Sequence, residues 1–175
     1  VDKSGSMSGT PMELARQAAR GAAELLGGQE QIAVIGFDDQ PQLVCDLTPA
    51  ANRASVAGAI DSLQAGGGTN LQPAMVQARD ILRGASAKLK HVIAMTDGQT
   101  DPSNLVELSH EMAGLGMTVS TVAMGESAAG ALLEQMAGAG NGRYYQTDAP
   151  ENVPQIFTRE TMQASRSAIK EDLYN

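Results

Sequence analysis

Short apolar segments alternate with helical patterns along most of this chain, and this alternation limits the possible folds more than any other feature. We predict strands over 31–37, 91–96, 118–124 and 143–146, separated by helices of about ten to fifteen residues. The first two of these segments are almost continuously apolar, as in strands that are buried on both faces of a sheet. The pattern therefore predicts an α/β fold with a mostly parallel central sheet and helices on both faces.

One further strand is expected to run antiparallel at the edge of this sheet. The polar turn at 38–41 separates the strand 31–37 from a second apolar run at 42–47, and so short a connection favours a hairpin. The pair Thr48-Pro49 is typical of a helix start, and we expect a helix from there to Leu63.

Capping residues predict where other helices begin. Thr10, Pro11 and Glu13 fit a capping box that opens a helix reaching Leu26, and Asp101-Pro102 is expected to start another. Further helices are expected over 71–82 and 129–137, and again after residue 150. We expect one domain over 1–158, followed by a polar helical or linker extension over 159–175.

Composition excludes several classes of function. The 175-residue chain has a net charge of −8, which argues against a nucleic-acid binder because such proteins present a basic face. Cys45 is the only cysteine, so there is no disulfide framework, and it is expected to be a small buried hydrophobe. His91 and His110 lack the spacing of a metal-binding pair. No apolar run approaches the ~20 residues of a membrane span, so we expect no membrane insertion by this segment.

Polar residues cluster at three places where the predicted sheet would bind a ligand. Asp2, Ser4 and Ser6 alternate along the N-terminal segment, Thr69 follows three glycines, and Asp97 follows a buried strand. Alternate side chains of an extended backbone point to one side, so the first three are expected to converge. Ligands of such sheets bind beyond the carboxyl ends of the strands. Carboxylate and hydroxyl oxygens suit Mg²⁺, Mn²⁺ or Ca²⁺ rather than zinc.

The set Asp2-x-Ser4-x-Ser6, Gly68-Thr69-Asn70 and Thr96-Asp97-Gly98 resembles the three-part metal-ion-dependent adhesion site (MIDAS) of von Willebrand factor type A domains. The resemblance implies a three-layer, Rossmann-like fold. It also implies that Ser4 and Ser6 ligate Mg²⁺ (with Mn²⁺ or Ca²⁺ as alternatives) through their hydroxyls, and Thr69 directly or through water. Asp2 and Asp97 would hold the ion mainly through bridging waters. Few anionic ligands then touch the ion, so a carboxylate of a protein partner can complete its coordination.

The chain departs from this family at its start. The family places a buried central strand immediately before Asp2, and only Val1 remains of it here. We expect this strand to lie upstream of Val1, because otherwise the sheet has two unpaired edges. The segment 151–161 resembles the stretch that comes after the type A domain in large bacterial membrane proteins, which implies that this segment comes from a larger, membrane-anchored bacterial protein.

Three functions are compatible with these residues. The first is a non-catalytic module in which the ion at Asp2, Ser4, Ser6, Thr69 and Asp97 captures an acidic residue of a protein partner. The second is a metal-dependent hydrolase of the haloacid-dehalogenase kind, but that chemistry needs an Asp-x-Asp pair and Ser4 holds the second position. The third is a structural module whose site holds no ion. Asp38 and Asp39 are left out of the site, because hairpin turns favour aspartate in any case.

Overall fold

A computed structural model of the chain describes residues 1–126 and 129–174, and from residue 167 onward it describes the backbone alone. The strands are β1 Gln31–Phe37, β2 Pro41–Pro49, β3 Lys90–Thr96, β4 Met117–Met124 and β5 Asn141–Thr147. The α-helices are α1 Thr10–Leu25, α2 Arg53–Asp61, α3 Leu71–Gly84, α4 Leu105–Gly114, α5 Gly130–Ala139 and α6 Val153–Tyr174. Short 3₁₀ helices form at Gly5–Met7 and Pro150–Asn152.

The strands form two sheets that lie side by side. β1 and β2 make an antiparallel pair, and β3, β4 and β5 make a parallel sheet in that order. Because β3, β4 and β5 are parallel, their carboxyl ends meet at one edge. The predicted α/β fold, mostly parallel with one antiparallel edge strand, is confirmed.

Helices cover both faces of these strands, which gives three layers. On one face, α1, α2 and α6 enclose a core that includes the alanine-rich side of α1 and Phe157. On the other face, α3, α4 and α5 pack against Phe37 of β1 and against the β4 side chains Val119 and Ala123. Aromatic residues are scarce, and methionines such as Met7, Met95 and Met136 fill the space between layers.

The first three residues of the chain join the two sheets. Val1 accepts a hydrogen bond from the Phe37 N–H (3.0 Å), and the Lys3 N–H donates to the Phe37 carbonyl (2.8 Å). On the other side, the Asp2 N–H donates to the Met95 carbonyl at 3.0 Å. Residues 1–3 are therefore extended between β1 and β3, with an isolated β-bridge from Asp2 to Phe37.

Beyond Val1 the facing edges of β1 and β3 border an apolar cavity of about 230 Å³. In the described chain no strand pairs with either edge there. The cavity occupies the position expected for the strand before Asp2, whose existence upstream of Val1 stays a prediction.

The helix start predicted at Thr48-Pro49 is wrong because strand pairing is preferred there to helix capping, whereas the helix predicted from Thr10 is confirmed apart from its cap. Thr48 and Pro49 belong to β2, where Thr48 pairs with Ile32, and α2 begins only at Arg53. Proline is tolerated there because an edge strand leaves one row of N–H groups unused. Thr10 is the first helical residue of α1 rather than its cap, which is Gly9 with a positive φ of 79°.

The capping box is also absent, since Glu13 forms ion pairs with Arg16 and Arg20 further along α1. The start predicted at Asp101-Pro102 is wrong as well. The Asp101 carboxylate accepts hydrogen bonds from the backbone and hydroxyl of Ser103, and α4 begins at Leu105 after a left-handed Asn104.

The last helix, α6, is anchored to the sheet by a buried carboxylate. Glu160 accepts hydrogen bonds from Arg143 Nε (2.8 Å), the Tyr145 hydroxyl (2.8 Å) and the Ser120 hydroxyl, and His91 Nε2 lies 3.0 Å from it. Burial would raise the pKa of Glu160, but these contacts together hold it well below its usual range. α6 runs without a break through residue 158, and the division of the chain there remains a prediction. Within the described residues, every helix is too short or too polar to span a lipid bilayer.

Candidate metal centre

Asp2 lies at the junction of the two sheets and is completely buried. One carboxylate oxygen accepts the Ser4 N–H at 2.8 Å. The other accepts the Thr96 hydroxyl at 2.6 Å and the Asp97 N–H at 3.3 Å. Asp2 therefore ties the N-terminal loop to the end of β3, and the protein itself uses most of its acceptor capacity.

Three oxygen atoms follow one another beside this carboxylate. The Ser4 and Ser6 hydroxyl oxygens are 3.0 Å apart, and the Ser6 hydroxyl donates to Asp97 Oδ1 at 2.9 Å. The hydroxyls of Ser4 and Ser6 converge as predicted. The prediction attributed this to alternation along an extended backbone, which is wrong beyond Ser4, because the backbone is not extended there. Residues Gly5–Met7 form a 3₁₀ turn, closed by the Met7 N–H donating to the Ser4 carbonyl at 3.0 Å.

Asp97 is half-buried at the end of β3, and its environment resists a negative charge. Burial raises the pKa of Asp97 above its usual value, and the neighbouring Asp2 charge adds to this shift. The Ser6 hydrogen bond opposes it but does not cancel it. Two carboxylates held this close in a partly desolvated place favour the approach of a cation.

Thr69 reaches the same edge from the glycine-rich loop between α2 and α3. The Gly66 N–H donates to the Lys3 carbonyl at 2.7 Å, and the Gly5 N–H donates to the Gly67 carbonyl at 3.0 Å. The Thr69 hydroxyl oxygen would lie 3.3 Å from a Cβ placed on Gly98, the residue after Asp97. All five residues predicted for the site thus meet at one edge of the molecule.

The spacing of these oxygens fits a small octahedral ion. Adjacent ligands around Mg²⁺, with bonds of 2.0–2.1 Å, are about 2.9 Å apart. The Ser4 and Ser6 hydroxyl oxygens are 3.0 Å apart, which matches this edge length and is also the length of an O–H···O hydrogen bond. The 2.9 Å contact of Ser6 with Asp97 is a hydrogen bond that orients the Ser6 hydroxyl. Among the described residues, no three or more His, Cys, Asp or Glu side chains are grouped so that they could hold a metal ion. The candidate ligands at this site therefore include the serine and threonine hydroxyls.

Sequence reasoning assigned no role to the two threonines that hold the site in place, although Thr96 belongs to the Thr96-Asp97-Gly98 motif. Thr96 is fully buried, and its hydroxyl binds the Asp2 carboxylate. The Thr100 hydroxyl accepts the Leu71 N–H at 3.0 Å, which fixes the start of α3 next to Thr69. The available signal was position alone, since both threonines flank Asp97 closely. Asp38 and Asp39 also contact the loop that carries Thr69.

Comparison with protein families gives one result over most of the chain. The model of the von Willebrand factor type A domain matches residues 1–159. Among curated proteins, the uncharacterized protein sll0103 of Synechocystis sp. is 27% identical over 161 residues, which cover 90% of this chain and 38% of that protein. The chain therefore spans a little over a third of the length of this relative.

Solved structures share the fold. A von Willebrand factor type A protein from Catenulispora acidiphila superposes with a TM-score of 0.85 at 26% identity, covering 93% of this chain and 41% of that one. Proximal thread matrix protein 1 from the mussel byssus, solved with a zinc-occupied MIDAS motif, superposes with a TM-score of 0.76 at 18% identity. The superposition covers 91% of this chain and 44% of the mussel protein's chain.

Proposed function

This chain belongs to the von Willebrand factor type A domain family, and we propose that it is a non-catalytic binding module. A divalent cation would be held at Asp2, Ser4, Ser6, Thr69 and Asp97, and would capture a carboxylate of a protein partner. The observation that carries the proposal is the meeting of the Ser4, Ser6 and Thr69 hydroxyls with the Asp2 and Asp97 carboxylates at one edge of the molecule, where the Ser4 and Ser6 hydroxyl oxygens lie 3.0 Å apart.

The donor set supports Mg²⁺ as the ion, with Mn²⁺ or Ca²⁺ as alternatives. Ser4, Ser6 and Thr69 are neutral donors, and the Asp2 carboxylate is engaged with the Ser4 and Asp97 N–H groups and the Thr96 hydroxyl. When bound, the ion supplies a Lewis-acid position that is not fully neutralised by the protein. The zinc-occupied MIDAS motif of the mussel protein supports a divalent ion in this kind of site.

The role of each residue follows from its contacts. Ser4 and Ser6 would ligate the ion through their hydroxyls, since their oxygens already face one another. Asp97 would hold a bridging water and orient the Ser6 hydroxyl. Asp2 would fix the two loops in register and stabilise the ion through its charge.

The partner is expected to be a protein that presents an acidic side chain. The chain carries a net charge of −8, so long-range electrostatics would repel an acidic partner. Its recruitment therefore depends on the local charge of the ion, and the metal would decide whether binding occurs. Because the chain covers only 38% of the Synechocystis relative, we propose that the module works as one part of a longer protein.

Titration calorimetry with Mg²⁺ and Mn²⁺ tests the proposal. The parent protein is expected to bind one ion, and Asp97→Ala is expected to lose this binding while keeping its fold by circular dichroism. Asp101→Ala is the matched control, because Asp101 lies four residues away and its carboxylate bonds Ser103. Absence of binding in the parent contradicts the proposal. Turnover of generic phosphate esters that Asp2→Asn abolishes would support the hydrolase instead.

A further inference from the structure

The turn between β1 and β2 touches the loop that presents Thr69. The Asp39 carboxylate accepts the Gly68 N–H at 2.9 Å through Oδ2. Its other oxygen, Oδ1, lies so close to the Gly68 Cα that a Cβ at this position would collide with it. A contact this close exists only because residue 68 has no side chain.

Asp38 holds the other side of the same loop. Its backbone carbonyl accepts the Asn70 N–H at 2.7 Å. A Cβ placed on Gly67, whose φ is +81°, would lie 2.9 Å from the Asp38 Cβ. The two residues that flank Thr69 are therefore both bound to one turn, Gly68 to Asp39 and Asn70 to Asp38.

The turn is itself fixed to the segment that carries the two serines. Asp38 Oδ2 forms an ion pair with Lys3 Nζ at 2.5 Å, and Asp38 Oδ1 accepts the Gln40 N–H at 3.0 Å. The Lys3 side chain is only 12% exposed, so this pair is largely shielded from water. Lys3 lies between Asp2 and Ser4 in the sequence. Its ion pair with Asp38 therefore fixes the turn relative to the N-terminal part of the site.

We infer that Asp39 is a positioning residue for the metal centre, which sets the place of Thr69 through its hydrogen bond to Gly68. Three consecutive glycines precede Thr69, and such a loop has many conformations of similar energy. Fixing the amide next to Thr69 lowers the entropy that the loop loses when its hydroxyl is held at an ion. The inference rests on the proposed function, because it concerns affinity at the same site.

According to this inference, the hydrogen bond from Gly68 to Asp39, and not the charge of Asp39, is what raises the affinity for the ion. Two substitutions separate these two causes. Asp39→Ala removes both the bond and the charge. Gly68→Ala leaves the charge in place, but its methyl group displaces the carboxylate and breaks the bond. Each is expected to weaken Mn²⁺ binding by about five- to tenfold, the effect of one lost hydrogen bond. The double variant is expected to lose no more than either single one.

Asp39→Asn provides the conservative rescue. The amide oxygen can still accept the Gly68 N–H, so the Mn²⁺ affinity should stay close to that of the parent although the charge is gone. Gly66→Ala is the control for Gly68→Ala, because a Cβ on Gly66 meets no atom within 4 Å. Asp46→Ala is the control for the lost charge, since Asp46 is about seven residues further along the hairpin, roughly 23 Å away.

A second measurement does not depend on the metal. Amide hydrogen exchange at Gly68 in the metal-free protein should accelerate in Asp39→Ala and stay slow in Asp39→Asn. If Asp39→Asn loses as much Mn²⁺ affinity as Asp39→Ala, or if Gly68→Ala binds like the parent, the inference is wrong. Failure of the parent itself to bind Mn²⁺ contradicts the proposed function, and Gly68 exchange still decides whether Asp39 holds the loop.

Discussion

The Ser6 hydroxyl donates a hydrogen bond of 2.9 Å to the Asp97 carboxylate, which lies 91 residues further along the chain. This contact closes the site, because Ser6 belongs to the N-terminal loop and Asp97 to the end of β3. It also places the Ser6 hydroxyl between the Asp97 carboxylate and the Ser4 hydroxyl, so that one side chain contacts both.

Ser6→Ala should therefore abolish high-affinity binding of Mg²⁺ with little loss of stability. The variant removes one ligand and the hydrogen-bond partner of both Ser4 and Asp97. We expect an affinity loss of at least about a hundredfold, since the contact with the ion and the charge-assisted hydrogen bond to Asp97 both disappear. Titration calorimetry measures it. Ser8→Ala is the control, because the Ser8 hydroxyl binds the Gly5 carbonyl in the same loop. Equal affinities in the two variants would contradict the assignment of Ser6.

Thr96→Val should destabilise the protein by about 1–3 kcal/mol, because the buried Asp2 carboxylate loses a donor at 2.6 Å without a change in side-chain shape. Thr96→Ser keeps the hydroxyl and should recover most of this stability. Chemical denaturation in metal-free buffer gives the comparison. If Thr96→Ser is no more stable than Thr96→Val, the hydroxyl is not what supports Asp2.

The Glu160 network predicts a loss of stability in acid. Its pKa lies below the unfolded value of 4.5, so the folded state binds fewer protons, and stability falls as the pH drops through about 4.5 and below. Glu160→Gln should cost about 2–4 kcal/mol at neutral pH, because Arg143 loses its charged partner, and should flatten this acid limb.

Urea unfolding between pH 3 and pH 7 measures the effect, with the exposed Glu107 changed to Gln as the control. An acid limb in Glu160→Gln as steep as in the parent would assign the pH dependence to other carboxylates.

The cavity between β1 and β3 predicts the effect of lengthening the chain at its start. Six or seven apolar, β-branched residues placed before Val1 can pair with both strand edges and fill the space beside Ile35 and Ile93. We expect the free energy of unfolding to rise by about 2–5 kcal/mol, which is the surplus of apolar burial over backbone ordering. A Gly-Ser extension of equal length is the control, and equal stability of the two chains would contradict the prediction.

Much of the fold was predictable because burial and parallel pairing leave strong patterns. The segment ending at Thr96 is almost continuously apolar, and the rule that ligands bind beyond parallel strands correctly brings Asp97 to the same edge as Asp2. The expectation that Cys45 is a small buried hydrophobe is confirmed for the same reason.

The predictions that were wrong or missing concern residues whose local sequence is compatible with two different structures. Thr48 can cap a helix or extend a strand, and its pairing with Ile32 decides the matter. The contact of Asp39 with Gly68 joins residues 29 apart and depends on the path of a glycine loop. A hairpin aspartate has the same local sequence with or without such a contact, so the sequence carries no signal for it.

The extended residues 1–3 are the backbone link between the two sheets. Thr69 is held by the β1–β2 turn, whereas Asp97 follows β3 of the parallel sheet. In the described chain the backbone hydrogen bonds between the hairpin and the parallel sheet lie around Val1, Asp2 and Lys3, and the cores on both faces also pack across this junction. The relative position of Thr69 and Asp97 is therefore set by how the two sheets are joined, as well as by the loops that carry the two residues.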